Sequence, residues 1–222
     1  MSEAFKQVNI LVLVSGNGTN LKALLDAEKN GSFNTDNKTG GEIAGNRTAA
    51  GRIAVVLSDR NGVYALQRAR DAGIPALVEK PDFCLSVAER RVEHSDRILR
   101  HCRENQIGLI VYAGFLSILA GNIVEEYSGR MINLHPALLP KFGGQGMYGE
   151  RVHRAVLEAG ETESGCTVHL VDAGTDTGPI LLQRRVAVLP GDTPESLADR
   201  IHVEEHIAIV EAVKIMLGVN ND

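Results

Sequence analysis

Apolar runs and amphipathic stretches alternate along most of this chain. Residues 8–14 are a near-continuous series of β-branched residues and leucines, the pattern of a strand covered on both faces. The turn Ser15-Gly16-Asn17-Gly18-Thr19-Asn20 follows, and residues 21–27 then carry apolar side chains at the i, i+3, i+4 spacing of a helix. A second buried strand is predicted over 52–58. The turn Asp59-Arg60-Asn61-Gly62 and a helix over 63–72, stopped by Gly73, come next. Further strands are expected at 74–78, 109–112, 131–134, 166–171 and 180–188. Further helices are expected at 89–105 and 150–159, and from the N-cap Thr193 with Pro194 at the first position to about 217. This alternation predicts one α/β domain over 1–222, with a doubly wound, mostly parallel sheet whose ligands bind beyond the carboxyl ends of its strands. Residues 30–51 are almost without apolar side chains and read as a flexible surface insertion. Residues 113–119 form an apolar loop that calls for a partner or a ligand.

Two interruptions of the apolar pattern carry candidate chemistry. The first is the strand-to-helix turn at Gly16–Asn20, where glycines expose backbone N–H groups at the positive end of a helix dipole, a site suited to a phosphate. Thr19 and Asn20 add side-chain donors. The turn lacks the lysine of a Walker loop and the third glycine of a dinucleotide fingerprint, so it is also readable as a tight turn with Thr19 or Asn20 as N-cap. The second interruption is Met131-Ile-Asn-Leu-His-Pro-Ala-Leu-Leu-Pro140, which sets Asn133 and His135 on one face of a strand end. An amide there donates a hydrogen bond to a developing oxyanion while the imidazole moves a proton near neutral pH. Both interruptions follow strands, so both belong to the same rim of the sheet.

Composition narrows the field. At 222 residues the chain is long enough for a substantial core, and a net charge of −5 gives no general reason to bind nucleic acid or an anionic membrane. Cys84, Cys102 and Cys166 are an odd set without a Cys-x-x-Cys spacing, which disfavours a disulfide framework or a structural zinc and points to reduced thiols. No signal peptide or membrane-spanning run is apparent, so the expected location is cytoplasmic. His202-Val203-Glu204-Glu205-His206 matches an inverted zinc-peptidase pattern. A catalytic zinc needs a third protein ligand, and downstream only Glu211 and Asp222 supply acids, so no metal is expected.

In combination these segments resemble phosphoribosylglycinamide formyltransferase, the folate-dependent family of purine synthesis. The resemblance rests on Ser15–Asn20, Ala113-Gly114-Phe115-Leu116-Ser117-Ile118-Leu119, Ile132–Pro140, Asp172-Ala173-Gly174-Thr175-Asp176-Thr177-Gly178 and Glu205-His206, in order and at family-like spacing. It implies a formyltransferase-type, Rossmann-like domain that moves a formyl group from 10-formyltetrahydrofolate, a co-substrate, to the amine of glycinamide ribonucleotide. Position by position it implies Gly18, Thr19 and Asn20 at the substrate phosphate and His202, Val203, Glu204 and Glu205 along the ribonucleotide. Asn133, His135 and Asp176 are implied in catalysis. Leu116, Ser117, Ile118, Leu119, Asn133 and Asp172–Asp176 are implied at the folate, with Arg91 beside them.

Asp176 is expected to raise the pKa of His135 and keep it charged. A cis Leu139–Pro140 bond and a monomer or homodimer are implied as well. Ser117 stands where some family members carry Arg, and the 142–149 loop is longer than in compact bacterial members. Two sibling activities fit less well: methionyl-tRNA formyltransferase calls for a second, basic domain and formyltetrahydrofolate hydrolase for a preceding regulatory one.

Overall fold

The computed structural model describes residues 7–34 and 50–219. Its strands are β1 (Val8–Val14), β2 (Gly51–Ser58), β3 (Ala76–Val78), β4 (Ile107–Tyr112), β5 (Met131–His135), β6 (Glu163–Leu170) and β7 (Ile180–Ala187). Its helices are α1 (Thr19–Lys29), α2 (Tyr64–Asp71), α3 (Val87–Glu104), α4 (Asn122–Glu126), α5 (Glu150–Glu158) and α6 (Pro194–Leu217). The strands form one sheet in the order β3-β2-β1-β4-β5-β6-β7. The central strands β1 and β4 are the apolar runs, and helices cover them on both faces. Val12, Val14 and Val111 face a core closed by α1, α2, α5 and α6, whereas Leu11, Leu13 and Ile110 face a smaller core closed by α3 and α4. Burial on both sides explains why these runs show no polar alternation.

The sheet is mostly parallel, from β3 through β5. β6 runs antiparallel to β5, and β7 antiparallel to β6. The connection from Leu170 to Ile180 is shorter than the crossover of about a dozen residues that a parallel return needs, so β7 folds straight back. Helix starts also differ from expectation. α1 begins at Thr19 rather than 21, because Gly18 takes the N-cap in the left-handed conformation without a side-chain cap. α3 begins at Val87, two residues early, fixed by the reciprocal capping box of Ser86 and Glu89. The five-residue α4 is too short to leave a periodic signal.

The middle of the expected insertion lies outside the described residues. Its two ends depart from a surface reading: Phe33 is 1% exposed in the larger core, and its carbonyl accepts the Gly51 N–H that opens β2. The Leu139–Pro140 bond is cis.

Candidate active site

A cleft of about 650 Å³ crosses the carboxyl rim of the sheet, lined from the ends of β1, β4, β5 and β6 and from α5 and α6. At its α1/α6 end, Gly18 has φ 74° and its carbonyl accepts the Lys22 N–H, so the first-turn N–H groups of α1 have no helical partner. A Cβ on Gly18 would sit 2.6 Å from Ala65 Cβ and 2.9 Å from Ala65 Cα, so α2 packs directly on the turn and a larger residue collides with α2 before reaching the cleft. Asn20 lines the cleft, and one N–H of its amide donates to Glu205 Oε2 at 3.2 Å. Burial raises the Glu205 carboxyl above its ordinary pKa, against the opposing pull of His202 and the Asn20 donor. His202 Nε2 lies 4.0 Å from Glu205 Oε2 and lines the cleft. Val203 and Glu204 do not line it: Val203 is exposed, and Glu204 pairs with Arg184 at 3.0 Å.

Asp176 is the hub of the β5 end. Its Oδ2 accepts the Gly144 N–H at 2.9 Å and lies 3.5 Å from His135 Nδ1; its Oδ1 lies 3.3 Å from Asn133 Nδ2 and 3.4 Å from His169 Nε2. Burial alone would raise this carboxyl. The Gly144 donor and the charge of His135, with the His169 ring when it is protonated, outweigh that and hold it below the ordinary Asp value. His135 Nε2 is 2.8 Å from the Phe142 carbonyl, which can only accept, so Nε2 carries the hydrogen and Nδ1 is the basic nitrogen beside Asp176. The expected rise in the His135 pKa is overturned. Burial pushes the imidazole below its ordinary value, and the Asp176 charge and the Phe142 carbonyl recover only part of that.

His169 is the member of this cluster that sequence reasoning missed. It stands opposite Asn133 in the β5–β6 ladder, and its Nδ1 donates to the Leu170 carbonyl at 2.8 Å. Its Nε2 is therefore an acceptor in the neutral ring and takes an Asn133 N–H at 3.1 Å. Separations of 3.1, 3.3 and 3.4 Å among Asn133 Nδ2, Asp176 Oδ1 and His169 Nε2 make a near-equilateral triangle. Seen from Nδ2 the two acceptors subtend roughly 60°, half the ~120° between the hydrogens of a planar amide, so one N–H can serve both and leave the second for a ligand. His153, on α5, is the other unassigned member. It is 3% exposed, its Nδ1 has no hydrogen-bond partner among the described residues, and burial with the nearby His202 and His135 pushes its pKa down to about 4.

The opposite wall is Leu116–Leu119, with Asp172, Gly174 and Thr175 across from it. Asp172 caps its own loop, its Oδ1 accepting from the Gly174 N–H at 2.9 Å and the Thr177 hydroxyl at 2.7 Å. Ala173 and Arg91 do not line the main cleft. Arg91 lines an adjoining groove that shares Leu116, Ser117 and Ile118 with it.

Residues 8–213 match the family described as "Formyl transferase". The glycinamide ribonucleotide transformylase 1 of Symbiobacterium toebii is 35% identical, with a TM-score of 0.80 over 98% of this chain and 92% of that one. The chain belongs to the phosphoribosylglycinamide formyltransferase family. The phosphoribosylglycinamide formyltransferase of Brucella melitensis, 33% identical, aligns with a TM-score of 0.78 over 98% of this chain and 99% of that one. Among curated relatives, the trifunctional purine biosynthetic protein adenosine-3 of Drosophila pseudoobscura pseudoobscura is 41% identical over 93% of this chain, which spans 14% of that protein's length. The chloroplastic phosphoribosylglycinamide formyltransferase of Arabidopsis thaliana is 34% identical over 94% of this chain and 65% of its own length. Members of this family and the present chain thus share the doubly wound sheet whose rim carries the cleft.

Proposed function

We propose that this family member transfers the formyl group of 10-formyltetrahydrofolate to the primary amine of glycinamide ribonucleotide, a step of purine synthesis. The observation that carries the reading is the Asp176 hub, which gathers Asn133, His135 and His169 in the cleft that also holds the Gly18 turn. The turn, with the Thr19 N–H, takes the ribonucleotide phosphate, and His202 and Glu205 take its polar body. The apolar wall Leu116–Leu119 and the loop Asp172–Asp176 take the folate, whose anionic end leaves toward the Arg91 groove.

In the reaction the amine nitrogen attacks the formyl carbon, and the carbonyl electrons move to oxygen. The second N–H of Asn133 donates to that oxyanion. Because burial keeps His135 below its ordinary pKa, the ring begins neutral near pH 7. Its Nδ1 accepts the proton that the attacking nitrogen sheds, Asp176 stabilises the transient imidazolium, and the same proton passes to the folate nitrogen as the C–N bond breaks. Protons balance, and the carboxylate stays ionised throughout. No step uses a metal.

The single domain over 1–222, a cytoplasmic location and a monomer or homodimer complete the reading; three free thiols support a reducing compartment. The test is an assay of purified protein with 10-formyltetrahydrofolate, with and without glycinamide ribonucleotide. Formylated ribonucleotide should form and no free formate appear when the ribonucleotide is omitted. Formate release under that condition, or transfer to methionyl-tRNA instead, would replace this reading with a sibling activity.

A further inference from the structure

Ser117 lines the cleft, yet its hydroxyl turns out of it and donates to Asp59 Oδ2 at 2.8 Å. Asp59 follows the end of β2, two strands away from β4 across β1. Asp59 lines the adjoining Arg91 groove; its side chain is only 4% exposed, its Oδ1 lies 3.6 Å from Arg60 Nε, and among the described residues that oxygen has no hydrogen-bond partner. A carboxylate buried with one hydrogen bond and one long ion pair gains little for the fold, which leaves the Ser117 contact as its best-formed interaction. The rest of the wall is tied as well. The Leu116 N–H donates to Ser15 Oγ at 2.8 Å, the Ala120 N–H to Ser95 Oγ at 2.9 Å, and Phe115 stacks on His94 with ring centroids 6.3 Å apart. These ties differ in where they lead. Ser15 opens the Gly16–Asn20 turn, so its tie joins the wall to the phosphate end, whereas Asp59 holds Ser117 alone.

We propose that Asp59 is a positioning residue which, through Ser117, fixes the Leu116–Leu119 wall and so sets affinity for the formyl donor. The proposal rests on the folate reading of that wall. A wall free to move would have to be ordered when the folate binds, and that entropy is lost from affinity for this substrate alone.

The experiment measures KM for both substrates, equilibrium binding of 10-formyl-5,8-dideazafolate, and thermal midpoints. Asp59→Ala and Ser117→Ala should each weaken the folate analogue and raise the folate KM roughly 5- to 20-fold, with the ribonucleotide KM changed less than about twofold. The double variant should be no worse than either single one, because both remove the same contact. Ser117→Thr and Asp59→Asn, which keep a hydroxyl donor and an oxygen acceptor, should recover most of the loss. Ser15→Ala should raise both KM values.

Parallel rises in the two KM values for Asp59→Ala, additive losses in the double variant, or a lowered midpoint with unchanged folate affinity would each reduce Asp59 to a structural brace. If Asp59→Ala does not fold, Ser117→Ala carries the same test. A parent protein that binds the analogue while Ser117→Ala binds it equally well defeats this proposal only. A parent that binds no analogue defeats the folate reading as well.

Discussion

Asp176 and Glu205 are acids in the same cleft, and their surroundings shift their pKa values in opposite directions. Asp176 meets a backbone N–H, an amide and two imidazoles, which pull its carboxyl below the ordinary range despite burial. Glu205 is 5% exposed, accepts one hydrogen bond from Asn20 and has His202 at 4.0 Å, and burial prevails, raising its pKa. Asp176 has more donors and is less deeply buried than Glu205, and both differences push the two pKa values apart. A carboxylate kept charged is suited to stabilising a passing imidazolium. One poised toward its neutral form can both donate to and accept from a polyhydroxyl ligand.

The largest effect should come from removing the charge at the first of these acids. Asp176→Asn keeps shape but leaves the transient His135 imidazolium unsupported, so kcat/KM should fall roughly 100- to 10,000-fold. The His135 ring, already below its ordinary value through burial, should titrate lower still in the free variant, because the Asp176 charge that pushes it up is gone. NMR titration reads this without interference from the substrate amine. An unchanged His135 pKa would mean that the 3.5 Å separation carries no coupling, and the contrast between the two acids would lose its functional meaning.

A smaller effect, on stability, separates the histidines from both acids. His153 binds its proton less readily in the folded protein, at about 4, than in the unfolded chain near 6.5, so it contributes stability at neutral pH that is lost as pH falls through that window. At 1.36 kcal/mol per unit the loss is at most about 3 kcal/mol. His94, His135 and His206 are shifted in the same direction and add to the slope. Urea titrations at steps between pH 7 and 4 should show falling stability in the parent and a shallower slope in His153→Gln. Equal slopes would show that His153 titrates normally.

Much of this contrast was legible in the chain and part was not. Asn133 and His135 stand out because they interrupt an apolar strand, and Asp176 was found by resemblance. His169 belongs with them only through the β5–β6 register, and antiparallel pairing is a tertiary choice that the run Cys166–Leu170 does not encode. The available signal was alternation: Thr167 and His169 are polar at every second position of a strand otherwise apolar there. The direction of the His135 shift is not legible for a related reason, since a motif shows a neighbouring charge whereas desolvation depends on everything packed around it. The same holds for Asn20, whose amide serves Glu205 from 185 positions away.

The smallest expected effect comes from Glu205. An acid whose folded pKa is raised binds protons more tightly when folded, so its contribution favours the fold below the unfolded value of about 4.5 and is lost as pH rises through the folded one. Glu205→Gln mimics the neutral carboxyl and has no such loss. Its thermal midpoint should exceed the parent's by a margin that grows as pH rises from 5 to 8. Activity should suffer modestly: the ribonucleotide KM should rise less than about tenfold, because the amide keeps one donor and one acceptor, and kcat should stay within about threefold. Differential scanning calorimetry across that pH range and steady-state kinetics read both. If the Gln variant is less stable than the parent at pH 8, Glu205 is ionised and stabilised in the fold, and the two acids of the cleft are alike after all.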